Sequence, residues 1–229
     1  MKSSPKPLSE TWNSYFIAHA LKAPFTPYHF DGEDKNLRAF ASQSAFIDWY
    51  GQPPGPPGGP YRDERFYVRE LTMISCEIQP RTVVEFGTSL GIGTYLLSLL
   101  NPQALIVTVD NRRMQYMPGD IAVPTGVLAK HQKIPVQYEL ADSTSFQFSG
   151  VDLCFIDADH SYEMVLLDSE RAWANRSRDH AWAIAWHDYH PETHGVMRAV
   201  NEFCSEHGLS LITHSDSATV WVRGAADAD

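Results

Sequence analysis

The fold is decided by Val83 to Leu100, VVEFGTSLGIGTYLLSLL. A short β-branched apolar run carries the acidic Glu85, turns through Gly87, Ser89 and Gly91, and opens into a leucine-rich segment suited to a helix. A strand, turn and helix of this kind bring bare backbone N–H groups and a helix N-terminus against a ligand. Glu85, Gly87, Thr88, Ser89 and Gly91 are therefore candidate cofactor contacts. The spacing is not the dinucleotide pattern G-x-G-x-x-G, because the glycines fall at Gly87, Gly91 and Gly93. A tight turn with no ligand would use the same residues.

Working outward, Arg65 to Ile78 places Tyr67, Leu71, Ile74 and Ile78 at helical spacing, and Pro80 closes the segment. Ala104 to Val109 reads as a second strand ending at Asp110, Ile121 to Lys130 as a helix, and Pro135 to Glu139 as a third strand. Val151 to Ile156 is the fourth strand and Ala181 to Trp186 the fifth. Tyr162, Leu166 and Trp173 mark the helix between them, and Val196, Val200 and Phe203 the one that follows. Ser210 to His214 and Ala218 to Arg223 flank a Ser-Asp-Ser turn and read as a hairpin. The expected fold is α/β: a Rossmann-like, doubly wound seven-stranded sheet, mostly parallel, with a C-terminal antiparallel hairpin.

Residues 1–60 lack this rhythm. Aromatics such as Trp12, Tyr15, Phe16, Phe25, Phe40 and Trp49 suggest a mostly helical cap, which they either pack onto the main domain or equip with an acceptor pocket. Gln52 to Pro60, QPPGPPGGP, reads as a linker or ordered loop. Residues 61–229 then form one domain, which suits a chain of 229 residues. A formal charge of −10, with no Lys/Arg cluster, argues against a nucleic-acid partner and leaves a small-molecule substrate as the expectation. The apolar runs are too short for a membrane span, and the first residues lack a secretory signal, so a cytoplasmic location is expected. Self-association is left open. Cys76, Cys154 and Cys204 have no metal-type spacing and read as buried free thiols.

In an open α/β sheet the ligand lies beyond the carboxyl ends of the strands. Those ends carry Glu85 with Gly87, Asp110 with Asn111, Asp142 with Ser143, Asp157 with Asp159 and His160, and His187 with Asp188. Asp110 can accept two ribose hydroxyls, or can serve as a turn Asp. Asp142 is equally an Asx turn.

The pattern E-x-G-x-x-x-G resembles motif I of the class I S-adenosylmethionine-dependent methyltransferases, and the alternating units with a terminal hairpin look like their fold. VDLCFIDADHSYE, Val151 to Glu163, resembles the corresponding segment of metal-dependent small-molecule O-methyltransferases, the catechol O-methyltransferase-like, macrolide-sugar and cephalosporin-biosynthesis relatives. The resemblance covers about Glu64 to Arg223. It implies S-adenosylmethionine as cofactor, with Glu85 to Gly91, Asp110, Asn111, Asp142, Ser143 and Asp157 around it. It also implies a divalent cation, Mg²⁺ or Mn²⁺, on Asp157, His187 and Asp188, and His160 as general base. His187 departs from the acid or amide more usual there, and an imidazole suits Mn²⁺, Fe²⁺ or Zn²⁺ better than Mg²⁺. The pair His187 and Asp188 could also be hydrogen-bonded without metal, and His160 a helix cap. The implied reaction is methylation of a hydroxyl on a small acceptor. N-methylation without a cation, and a non-catalytic nucleotide-binding module, are the alternatives.

Overall fold

The computed structural model describes residues 66–117, 121–131, 135–213 and 217–227. The expected cap and the Pro/Gly linker within residues 1–60 lie outside the described residues. Two units are distinguished: Met1–Pro54 with Tyr116–Val123, and Gly55–Gln115 with Pro124–Asp229.

In the second unit the chain runs α1 (Phe66–Ile78), β1 (Thr82–Phe86), α2 (Ile92–Leu100) and β2 (Leu105–Asp110). β3 (Met114–Met117) and β4 (Ile121–Pro124), which lead into the first unit, form a separate two-stranded sheet. The second unit resumes with α3 (Val127–His131), β5 (Gln137–Leu140), β6 (Leu153–Ile156), α4 (Tyr162–Asn175), β7 (Trp182–Trp186), α5 (His194–Glu206) and β8 (Val220–Gly224).

The main sheet has six strands in the order β5-β2-β1-β6-β7-β8. All neighbours are parallel except β7 and β8, which are antiparallel from Trp182↔Gly224 to Trp186↔Val220. This is the expected Rossmann-like architecture. Of the predicted hairpin, the second run is β8, while the first is present as one bridge between Ile212 and Trp221.

The β-branched runs explain the layering. Strand side chains alternate in direction, so Val83 and Leu153 face α1 and α2, where Leu71, Ile74, Leu96 and Leu97 are buried. Val84, Phe86, Cys154 and Ile156 face α4 and α5, where Val165, Ala172, Val196, Val200 and Phe203 are buried. At the amino ends of the strands the half-exposed Arg81 holds the buried Asp152, through its backbone N–H at 2.7 Å and its Nε at 3.0 Å. That contact fixes β1 beside β6.

Two expectations are corrected. The segment Ile121 to Lys130 is not one helix: Ile121–Pro124 is strand, and the helix is only Val127–His131. Pro124 lacks a backbone N–H and its ring obstructs the preceding helical turn, so a helix cannot run through it. Cys76 is exposed, whereas Cys154 and Cys204 are buried as expected. Cys76 lies two residues from both Ile74 and Ile78, and residues two apart do not share a helix face.

Candidate active site

The strand order reverses between β1 and β6, so the connections from their carboxyl ends part to opposite sides and leave a crevice. Gly87 sits at its base with φ 95°, and a Cβ there would fall 1.9 Å from the Asp157 carbonyl oxygen. No side chain fits. Ser89 is also left-handed, at φ 46°, and its N–H donates to Asp110 Oδ2 at 2.9 Å. Asp110 therefore closes the glycine turn while facing the crevice, and its Oδ1 accepts the Arg112 N–H at 2.8 Å.

Glu85 is buried beneath α2. Its carboxyl accepts the Thr108 hydroxyl at 2.5 Å and the Thr94 hydroxyl, and Thr108 contacts the Thr88 hydroxyl at 2.6 Å. A Cβ on Gly93 would meet Glu85 Oε1 at 2.3 Å, so the glycine makes room for the acid. Burial pushes the Glu85 carboxyl up to about 8, against the two threonine hydroxyls and with the charges of Asp157 and Asp110 adding to the rise.

These elements bound a cavity of about 580 Å³. Glu85, Gly87, Thr88, Ser89, Asp110, Asn111, Asp142, Ser143, Asp157, Asp159, His160, His187 and Asp188 all line it. Of the residues singled out from the sequence, Gly91 does not; it is the N-cap of α2, with φ 88°. Asp142 does form an Asx turn, its Oδ1 accepting the Thr144 N–H at 2.9 Å and the Thr144 hydroxyl at 2.7 Å. Arg112, Gln115 and Met164 also line the cavity and escaped the sequence reading. Gln115 reaches Asp110 Oδ2 at 3.4 Å and Thr125 Oγ1 at 3.1 Å across the β3 start, a strand that no periodicity announced.

At the ends of β6 and β7, four side chains meet. His187 Nδ1 lies 3.2 Å from Asp157 Oδ1 and 3.3 Å from Asp188 Oδ2, and His160 Nε2 lies 3.0 Å from Asp188 Oδ2. Asp188 is left-handed, φ 56°, and its carbonyl accepts the His190 N–H at 2.9 Å and the Thr193 hydroxyl. Its carboxylate lies between the two imidazoles. Burial opposes ionisation of Asp188, but the hydrogen bonds from His160 and His187 prevail and hold it well below the usual carboxylate range. Burial likewise opposes a charged His187, yet Asp157 and Asp188 raise it well above the ordinary value. The hydrogen bond to Asp188 raises His160, with burial opposing.

The resemblance implies a cation on Asp157, His187 and Asp188, and the geometry brings His160 to the same two carboxylates. Among the described residues, Asp157, His160 and Asp188 each offer one ligand atom, and these atoms all lie within 4.8 Å of one another. His187 is only 10% exposed and braces both carboxylates from behind, whereas His160, at 46%, faces the opening.

Residues 84–189 match the model of a family described as a methyltransferase domain, Methyltransf_24. Solved structures that share the fold include the following three. Cofactor-bound Rv0187 from MTB is 16% identical, with a TM-score of 0.55 over 98% of this chain and 100% of that one. The O-methyltransferase from Bacillus cereus in complex with SAH is 14% identical, with a TM-score of 0.51 over 96% and 100%. The N-methyltransferase NodS from Bradyrhizobium japonicum WM9, in complex with S-adenosyl-l-homocysteine, is 13% identical, with a TM-score of 0.50 over 80% and 97%. No curated protein matches the chain in sequence. The fold is that of a Rossmann-like methyltransferase domain, and the matched segment runs from β1 to just beyond the His187–Asp188 pair.

Proposed function

We propose that the protein is an S-adenosylmethionine-dependent methyltransferase acting on a hydroxyl of a small molecule. The observation that carries the reading is the His160–Asp188 contact of 3.0 Å, opening on the same cavity as the glycine turn. The turn, Asp110 and the 142–143 loop hold the cofactor. The acid-lined cavity suits its sulfonium cation.

In the reaction the S–CH₃ bond breaks, an O–CH₃ bond forms, and S-adenosylhomocysteine leaves as the neutral thioether. The sulfonium is already electrophilic, so the protein supplies in-line placement and an outlet for the hydroxyl proton. With Nε2–H directed at Asp188, the His160 tautomer keeps a lone pair on Nδ1, which takes that proton. Asp188 orients the ring and stabilises the imidazolium. His187, already between two carboxylates, keeps Asp157 and Asp188 in place.

A second reading is favoured by the clustering of Asp157, His160 and Asp188. Two carboxylates and an imidazole fit a divalent ion such as Mn²⁺, and when bound it would supply a lowered pKa for the acceptor hydroxyl. It would also take the His160 nitrogen, so base and cation assistance are alternatives in this site.

The test is calorimetric titration with S-adenosylmethionine, followed by turnover on hydroxylated and amine acceptors, with and without chelator. No binding of S-adenosylmethionine refutes the reading. His160→Ala is expected to lower turnover by about 10²–10⁴-fold with cofactor affinity unchanged. Unchanged turnover removes His160 from the base role, loss of activity with chelator selects the cation, and methylation of amines alone overturns the choice of oxygen.

A further inference from the structure

The start of α5 touches both halves of the His160–Asp188 pair. Gly195, the second residue of the helix, packs on the loop that carries His160: a Cβ there would fall 2.3 Å from the His160 carbonyl oxygen and 2.9 Å from the Tyr162 nitrogen. Both are backbone atoms, which cannot swing aside as the end of a side chain can. Thr193, the residue before the helix, donates its hydroxyl to the Asp188 carbonyl. The stretch 193–195 therefore meets the connection that leaves β6 and the one that leaves β7.

Farther along the helix the same two connections are held again. Gly195, Arg198 and Glu202 are spaced to share one face. That face grips Tyr162, the first residue of α4: the Tyr162 hydroxyl donates to Glu202 Oε1 at 2.6 Å, and the Arg198 guanidinium lies 4.0 Å over the Tyr162 ring. Tyr189, the neighbour of Asp188 in the chain, donates its hydroxyl to Asn201 Oδ1 at 2.8 Å. The apolar residues Val165, Ala172, Val196 and Phe203 already pack α4 and α5 into the core. The polar contacts are additional, and they fall on residues two from His160 and one from Asp188.

We propose that α5 positions the His160–Asp188 pair, and that Gly195 is the residue that permits the fit. The proposal rests on the reading of His160 as the base. Gly195, Arg198 and Glu202 do not line the cavity, so they act through the pair. A carbon and a carbonyl oxygen pack no closer than about 3.3 Å, so a side chain at Gly195 forces the His160 loop or the helix back by about 1 Å. Retreat of the helix carries Thr193 with it and so pulls on Asp188. Either movement opens the 3.0 Å contact between His160 and Asp188.

The experiment compares G195A with the unaltered protein in crystal structures with S-adenosylhomocysteine bound, and in steady-state methylation of catechol by S-adenosylmethionine. In G195A, His160 Nε2 and Asp188 Oδ2 should stand about 3.5 Å or more apart, beyond hydrogen-bonding reach. The expected kcat is about 10–100-fold lower, with the Kd for S-adenosylhomocysteine by calorimetry within about threefold. In the His160→Ala background the same change should cost nothing further, because the group it positions is gone. A G195A protein that keeps the contact, an undiminished kcat, a loss of affinity as large as that of kcat, or an equal loss in the His160→Ala background would each overturn the proposal. Should G195A fail to fold, E202A against E202Q decides it. E202A should lower kcat about threefold or more, and E202Q, whose amide carbonyl still accepts the Tyr162 hydroxyl, should recover most of it; equal values overturn the proposal. Where catechol is not turned over, the crystallographic separation in the folded variant decides alone. Failure of the base reading looks different, since His160→Ala by itself would then leave turnover unchanged.

Discussion

Replacing Glu85 with Gln should flatten the pH dependence of stability, and the size of the change follows from the burial of this one acid. Burial moves the Glu85 carboxyl from its ordinary 4.5 to about 8. At about 1.36 kcal/mol per unit, the carboxylate is disfavoured in the folded protein by about 5 kcal/mol relative to the unfolded chain. The folded pKa is raised, so the stabilising contribution is complete below 4.5. It is lost as the pH climbs through 8, and beyond that the penalty is constant. Gln at this position mimics the neutral acid: its carbonyl can accept from Thr94 and Thr108, and its amide occupies the place of Oε1 beside Gly93.

The assay is denaturant unfolding of both proteins at about pH 4 and about pH 9, reading the difference between them so that every other titrating group cancels. The Gln variant should gain about 5 kcal/mol on the unaltered protein across that interval, which at the usual urea dependence separates their midpoints by about 2 M or more. A difference constant within about 1 kcal/mol would refute the reasoning. It would mean that Glu85 ionises as easily folded as unfolded, and that its two threonine hydroxyls or water offset the burial.

Gly87→Ala should abolish cofactor binding and cost at least several kcal/mol of stability, because the added Cβ would sit 1.9 Å from a backbone oxygen of Asp157 at a φ of 95°; near-native affinity by calorimetry would show that β1 and β6 are not so close. Asp152→Ala acts at the other end of the same two strands. It should cost about 2–3 kcal/mol in denaturant unfolding, less than for a wholly buried ion pair because the Arg81 side chain is half exposed and regains water. Cofactor affinity should be unchanged, and a large loss of it would mean that strand register at the amino ends reaches the cavity.

The order of the main-sheet strands from β1 to β7 was legible because most carry their own apolar run closed by a polar residue. Val83 to Glu85 and Val151 to Ile156 read as strands because each is a short apolar run followed by acidic or turn residues. The β3–β4 pair was not legible. Met114 to Met117 has neither alternation nor a turn dipeptide, and Ile121 to Lys130 has helical residues on both sides of the proline that forbids the helix. Cys76 has apolar neighbours in sequence that are not its neighbours in space, because the helix turns it away from Ile74 and Ile78.

At the site, membership was legible and role was not. Position at the end of a strand is a property of the chain, so Asp157, His160, His187 and Asp188 could be grouped from their places alone. Which of the two imidazoles faces outward is shown only by the packed structure, where His160 is the exposed one and His187 the more buried one. At φ 56°, Asp188 swings its carboxylate toward His160 and leaves His187 bracing it from within. The Thr193 hydroxyl and the His190 N–H, both bound to the Asp188 carbonyl, hold the unusual angle, and neither can be connected to Asp188 by any residue pattern. Asp168 escaped notice in the same way. It reads as one polar residue in an amphipathic helix, and only packing shows that it is buried.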